Sequence, residues 1–226
     1  MSDTLIAEDL LLLLTDDRRG SVREYSSADY VLGGALLMEL ALAGRVRITE
    51  EGESAHKAGR VTITDASPTD DDILDDALAR LAAKPDCKPQ KAVELLVKKV
   101  RRPLQDRLVQ RGMFRHEKSR FAGFNKFPAA DGSHEAEIRA GLFRVLAQNE
   151  EPTVRQASLI ALLSAIDVAH KVVAEDVSTI DKKAVRKRAK ELMKENWASE
   201  AAKAAIDAVQ GAAAAAAAAG AVSVST

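Results

Sequence analysis

The sequence predicts a mainly α protein interrupted by two β-hairpins, and three observations predict it. Apolar residues recur at three- and four-residue spacing through most of the chain, the period of helices with one buried face. Only two short stretches read as strand pairs. The composition, 46% hydrophobic and 30% charged over 226 residues, supplies a real core on a soluble chain. At roughly 150 residues per domain, that length fits one large domain or two small ones.

The first helix reads from Leu5 to Leu14 and ends in the polar turn Thr15–Gly20. A second runs from about Ser27 to Ala43, with Leu32, Leu36, Leu37, Leu40 and Ala41 lining a face and Gly44 as its left-handed stop. Arg45–Ile48 alternates like a half-buried strand, and Val61–Thr64 is its expected partner across a loop holding Gly52 and Gly59. Ser67-Pro68-Thr69-Asp70 opens the next helix, with Thr69 able to cap it and Asp70–Asp72 suited to a helix N-terminus. That helix runs through Leu81 to the breaker stretch Lys84–Pro89.

Helical spacing resumes from Lys91 to Arg111, where Pro103 must kink the helix or start a new turn. After Gly112, Met113–Arg115 and Ser119–Phe127 form a second apparent hairpin, closed by Pro128. Ser133–Ala147, Val154–Val173 and Asp181–Val209 complete a helical C-terminal half, with Trp197 expected as a core plug. Ala212–Ala219 is an unbroken alanine tract and reads as a low-complexity tail, giving a domain over residues 1–210 and a tail over 211–226. A weak repeat is visible. Leu40–Val46 and Leu108–Phe114 are each a helix end, a glycine and a hairpin strand, which suggests two related halves.

Several function classes are excluded. The formal net charge of −1 argues against a global basic field on nucleic acid. A lone Cys87 excludes a disulfide framework and suits a reducing compartment. Met1–Asp9 has acids and no basic n-region, and the apolar run Leu10–Leu14 falls far short of the ~20 residues of a spanning helix, so an intracellular, soluble chain is expected. His56, His116, His134 and His170 are scattered and read as exposed bystanders. The acids from Asp65 to Asp76 do not fit a calcium loop, and helix N-terminal charge explains most of them. With no phosphate loop, nucleophile elbow or metal-ligand pattern, no enzyme, cofactor or metal is expected.

Charge segregation says more than total charge. Twelve Lys and Arg lie between Lys88 and Lys126 against Glu94, Asp106 and Glu117, a local balance of 12 − 3 = +9. Lys98, Arg101 and Arg102 stand at i, i+3 and i+4, so a continuous helix would project them to one side, where they match the acceptor oxygens of a phosphate. Phe121, Phe124 and Phe127 share the second hairpin with Lys118, Arg120 and Lys126, and rings interleaved with cations suit the boundary of an anionic bilayer. Inward packing of the rings is the competing reading. A second basic run, Lys182–Lys194, reads as an amphipathic helix with a solvated face.

Gly34–Val46, Asp65–Leu78 (with Pro68-Thr69-Asp70-Asp71 and Leu74-Asp75-Asp76-Ala77-Leu78), Leu108–Gly112 and Leu159–Leu163 with Asp167 together resemble the Golgi phosphoprotein 3 family, in the form found in bacteria. The resemblance covers about Leu5–Val209. It implies a mainly helical single domain, a central bundle wrapped by further helices and carrying hairpins. It also implies a peripheral membrane protein that binds phosphatidylinositol 4-phosphate, inserts a hydrophobic hairpin and adapts cytoplasmic tails of membrane proteins. The family's pocket uses a Trp, a basic residue on the following segment, and two basic residues three apart. The last two match Lys98 and Arg101; the Trp position falls on Glu24, beside Tyr25, and the other basic position on Gly33. What carries over is general recognition of anionic headgroups by Lys98, Arg101 and Arg102. The inserting hairpin corresponds to Glu117–Pro128, with Phe121, Phe124, Phe127, Lys118 and Arg120. The expected place is cytoplasmic, on the inner face of a membrane.

The alternative is a winged-helix nucleic-acid regulator with Arg115, Arg120 and Lys126 as wing cations. Against it, Leu36, Leu37 and Leu40 crowd the helix that would read bases. A scaffold binding only protein is a third reading.

Overall fold

The computed structural model describes residues 4–23, 25–53, 57–118, 125–174, 181–193 and 200–222. Its architecture is organised by one helix that is apolar on every side. That helix, α2 (Tyr25–Leu42), buries Val31, Leu32, Ala35, Leu36, Leu37, Met38 and Leu40 around its whole circumference. A helix of that kind can only be central. Around it pack α1 (Ile6–Leu14), α3 (Asp72–Ala82), α4 (Pro89–Val97), α7 (Val154–Ala165) and α10 (Glu200–Val222). Further out lie α5 (Arg101–Gln110), α6 (Ser133–Ala147), α8 (Ala169–Val173) and α9 (Lys182–Leu192). One continuous core runs from Leu5 to Val209, so the mainly helical, single-domain architecture expected from the sequence is present.

The close approach of α2 to its neighbours depends on Gly34. A Cβ there would meet Val209 Cγ2 at 2.2 Å, with Leu162 Cδ2 next at 3.4 Å, so α10 and α7 both press on this position. A larger residue there would force the Val209 side chain to move.

Two antiparallel hairpins follow two helices. β1 (Val46–Ile48) pairs with β2 (Val61–Ile63) in the register Val46↔Ile63, and β3 (Glu117–Lys118) pairs with β4 (Asn125–Lys126) in the register Glu117↔Lys126. Their entries are built alike. Arg45 N–H donates to Leu40 O and Gly44 N–H to Ala41 O; Met113 N–H donates to Leu108 O and Gly112 N–H to Val109 O. These are the paired bonds of a Schellman stop, and both require a left-handed residue, here Gly44 (φ 69°) and Gly112 (φ 74°). The repeat in the sequence is therefore a repeated helix terminator.

The structure corrects several boundaries. Asp70 is left-handed (φ 61°), so α3 starts later than expected and Asp71, not Thr69, caps it by accepting from Ile73 and Leu74 N–H. The stretch read as one helix over Val154–Val173 is divided into α7 and α8, with Asp167 left-handed (φ 56°) between them. The stretch Asp181–Val209 contains α9 and the start of α10, and Trp197 between them lies outside the described residues. The alanine tract is helical: α10 continues through it to Val222, which is what alanine's helix propensity favours. The helix at Lys91–Arg111 breaks one turn before Pro103, and that break shapes the candidate site.

Candidate functional site

The break between α4 and α5 is a physical consequence of Pro103. A proline ring has no N–H for the carbonyl four residues back and clashes with it, so a helix from Lys99 through Pro103 must kink or break, and here it breaks. The chain resolves this at Lys98, which is extended (φ −61°, ψ 118°), and Lys99, which is left-handed (φ 56°). Pro103 then sits in the first turn of α5, where its missing N–H leaves no bond unmade. The Arg80 guanidinium, from α3, donates to the Lys98 carbonyl exposed by the break.

This geometry overturns the single-faced triad expected of Lys98, Arg101 and Arg102. The i, i+3, i+4 rule needs one continuous helix, and these residues straddle two. Lys98 is exposed at the end of α4. Arg101 folds back onto α2, where its Nε lies 2.8 Å and its Nη2 2.7 Å from Asp29 Oδ1. Arg102 holds Asp106 at 2.8 Å, and its guanidinium lies 5.5 Å from the centre of the Phe127 ring.

What forms instead is an open groove of about 650 Å³ between α2, α3 and the α4–α5 break. Four cations line it: Arg80, Lys99, Arg101 and Arg102. Three acids line it too, Asp29, Asp72 and Asp76, over an apolar floor that includes Leu36, Ile73, Leu96 and Val100. Arg80 is paired with Asp76 at 2.5 Å. Sequence spacing gives no sign of Arg80 or Asp29 as site residues, because only the packing of α2, α3 and α4 brings them to the same place; Asp76 belongs to the acid run, one turn before Arg80. Lys99 was visible as part of the basic run.

The positions carried over from the family resemblance fare differently. Gly33 faces α4: a Cβ there would lie 3.1 Å from Val93 O and 3.2 Å from Val97 N. A side chain at that position would crowd the α4 backbone, so glycine serves helix packing. Glu24 lies outside the described residues; Tyr25 begins α2, but its side chain is also outside them.

Phe127 is not available to a bilayer. It is 3% exposed, stacks with the His116 ring at 5.1 Å between centroids, and is covered by Arg102. The Phe127 N–H donates to Gly20 O, which fixes the base of the hairpin inward. Phe121, Phe124 and Arg120 lie outside the described residues, as does the Lys118 side chain. Two histidines are also built into the fold and are not exposed bystanders. His134 Nε2 is 2.9 Å from Asp9 Oδ1, while His170 is buried beside Arg186, whose Nε is 3.3 Å from His170 Nδ1. His56 lies outside the described residues.

A second ionic cluster, at the start of α1, was missed because Glu8 and Asp9 sit in an otherwise apolar run. Glu8 is 0% exposed and accepts from Leu5 N–H at 2.8 Å, with Arg111 at 3.6 Å and Arg107 at 3.9 Å. Burial pushes its carboxyl above the ordinary range, against the pull of the Leu5 N–H and both arginines. Asp9, 1% exposed, is held by Thr4, His134 and Arg155. Arg107 reaches onward to Asp71 and Asp72. Burial raises the Asp71 carboxyl, but the Arg107 guanidinium and the N–H groups of Leu74 and Ile73 outweigh it and hold it below the ordinary range. The acids of Asp71 and Asp72 thus answer to arginine as well as to a helix N-terminus.

Among the described residues, no group of three or more His, Cys, Asp and Glu could hold a metal ion, and no helix is long and apolar enough to cross a membrane. The helix preceding each hairpin is anchored in the core, α2 on all sides and α5 through Leu104 and Leu108. A search of curated proteins returns no match. A family model described as Golgi phosphoprotein 3 (GPP34) matches residues 6–209, which spans all but the two ends of the chain. With that match over most of its length, the chain belongs to the Golgi phosphoprotein 3 (GPP34) family.

Proposed function

We propose that this protein is a peripheral membrane adaptor, without catalytic activity, that seats a phosphate-bearing lipid headgroup in the groove at the α4–α5 break. The observation that carries the reading is the convergence of Arg80, Lys99, Arg101 and Arg102 on one open cavity. Guanidinium groups offer a phosphate forked, charge-assisted hydrogen bonds, and the apolar floor can accept glycerol or acyl carbon. Family membership adds phosphatidylinositol 4-phosphate as a ligand to test, and cytoplasmic tails of membrane proteins as partners. The expected setting is the cytoplasmic face of a membrane.

The test is co-sedimentation with vesicles of phosphatidylcholine containing an anionic lipid. Arg101→Glu combined with Arg102→Glu is expected to weaken binding at least tenfold with the fold retained by circular dichroism. Unchanged binding by the folded double variant rejects the groove as the lipid site.

A further inference from the structure

The helix α9 packs against α6, α7 and α8 and buries Val185, Ala189 and Leu192. Its outer side carries Lys182, Lys183, Arg186, Lys187 and Lys190, all exposed. Over residues 181–193 six cations stand against Asp181 and Glu191, a balance of 6 − 2 = +4. This arrangement works against the helix that bears it. Lys182 and Lys183 are the first two residues of α9, at the positive end of its macrodipole, where anions are favoured and cations are not. Lys182 and Arg186, Lys183 and Lys187, and Arg186 and Lys190 are like charges four positions apart, each pair repelling across one turn. Relief within the fold is partial. Asp181 accepts from the N–H groups of Lys183 and Ala184, Arg186 lies 2.6 Å from Asp167, and Lys187 lies 3.8 Å from Glu191. Among the described residues, no ion pair engages Lys182, Lys183 or Lys190.

A surface that breaks the local rules of stability without a gain inside the fold points to a gain made outside it. An incoming anion supplies that gain, because it offsets the repulsion and the misplaced helix charge together. We propose that the outer face of α9 is a docking surface for an acidic segment of a partner protein. The face is about 16 Å long, the span of roughly five extended residues. Asp167, Asp181 and Glu191 border it, so a polyphosphate backbone running past its ends would meet like charge. A short run of carboxylates meets only the cations. Position argues against a bilayer as the occupant. The helix α7 packs on α9 and also on α2, a wall of the groove, so the α9 cations and the groove lie on different sides of the bundle. The choice of a protein over a membrane rests on the headgroup reading, which turns the groove to the lipid.

The experiment uses the full chain as wild type, Lys182→Glu with Lys183→Glu, and Arg101→Glu with Arg102→Glu. Each is titrated by fluorescence anisotropy with fluorescein-labelled hexaglutamate, and separately with phosphatidylcholine–phosphatidylserine vesicles and a short DNA duplex. The wild type is expected to bind the peptide. The α9 variant is expected to lose roughly tenfold in peptide affinity, the reach of two reversed surface charges, and to bind vesicles like wild type. It is also expected to melt roughly 2–4 °C higher without peptide, because acids at the start of α9 suit its dipole. A merely structural role for these lysines predicts the opposite sign. The groove variant is expected to keep peptide binding.

The inference is overturned if the wild type does not bind the peptide, or if the α9 variant binds it unchanged. It is also overturned if the α9 variant melts lower than wild type, or if the duplex binds α9 more tightly than the peptide does. In these cases the headgroup reading stands as long as the groove variant loses vesicles. If the α9 variant loses vesicles while the groove variant keeps them, α9 faces the membrane and both readings fail. Should the α9 variant not fold, Lys183→Gln with Lys187→Gln decides the same point through peptide affinity alone.

Discussion

Two clusters in this molecule use the same chemistry, carboxylate against guanidinium, and differ in access to water. At the start of α1, Glu8 and Asp9 are 0 and 1% exposed and each is held by several partners from α5, α6 and α7. In the groove, Arg101 and Asp29 retain 14 and 29% exposure and open onto a cavity. A sealed charge without its partner has nowhere to go, so the first cluster can only hold helices together. A half-open pair can trade its partner for a ligand or for water. The arginines of the two clusters are similarly exposed; the carboxylates differ, sealed at the start of α1 and partly open in the groove.

The contrast can be broken from either side. The largest effect is expected at the sealed end. Asp9→Ala strands Arg155 and should lower stability by about 3–5 kcal/mol, measured by urea unfolding. An effect below 1 kcal/mol would put this cluster in the same class as the groove. Next, Arg101→Glu with Arg102→Glu should cost at least tenfold in vesicle binding while altering stability by about 1 kcal/mol or less. A variant that unfolds instead would make the groove arginines structural. A smaller effect is expected from salt. Raising NaCl from about 0.1 to 0.5 M shortens the screening length and should weaken vesicle binding several-fold, with the melting temperature nearly constant.

The smallest effect sharpens the sealed side. Glu39 accepts from Ile6 N–H at 2.7 Å, and burial pushes its carboxyl up to about 7, with the N–H bond and Arg155 opposing. Its folded pKa lies above the unfolded 4.5, so the native state holds the proton in the window between them. The stability this contributes is present below about 4.5 and is lost as pH rises through about 7. Glu39→Gln should therefore flatten the fall in melting temperature between pH 5 and 8. An identical slope in both proteins would show that Glu39 does not titrate there.

The legible parts of the fold are those with local causes. Ser133–Ala147 carries its helical period, and Gly44 and Gly112 mark helix ends that only a left-handed residue can make. The break before Arg101 was half legible. Pro103 announced an interruption, but its position depends on a lysine taking the left-handed conformation at residue 99 and on Arg80 meeting the carbonyl of Lys98. Neither has a local signature. Lys99, Arg101 and Arg102 stand in the charge run beside Asp106, the partner of Arg102; Asp29 has no such signature, because it comes from α2. Phe127 was misplaced for a related reason, since a ring beside basic residues looks the same whether it faces lipid or packs under Arg102.

The helical alanine tract has a thermodynamic consequence. Thirteen residues, Gln210–Val222, extend α10 past Val209, the last core residue among those described. An isolated helix of that length is marginal in water, because nucleation is unfavourable. Here the docked half of α10 is already helical, and the extension needs only propagation. Heating should therefore shorten α10 from its C-terminal end, residue by residue, before the core lets go. Far-UV ellipticity would then slope steadily ahead of the cooperative transition, a slope that ending the chain at Gln210 would remove.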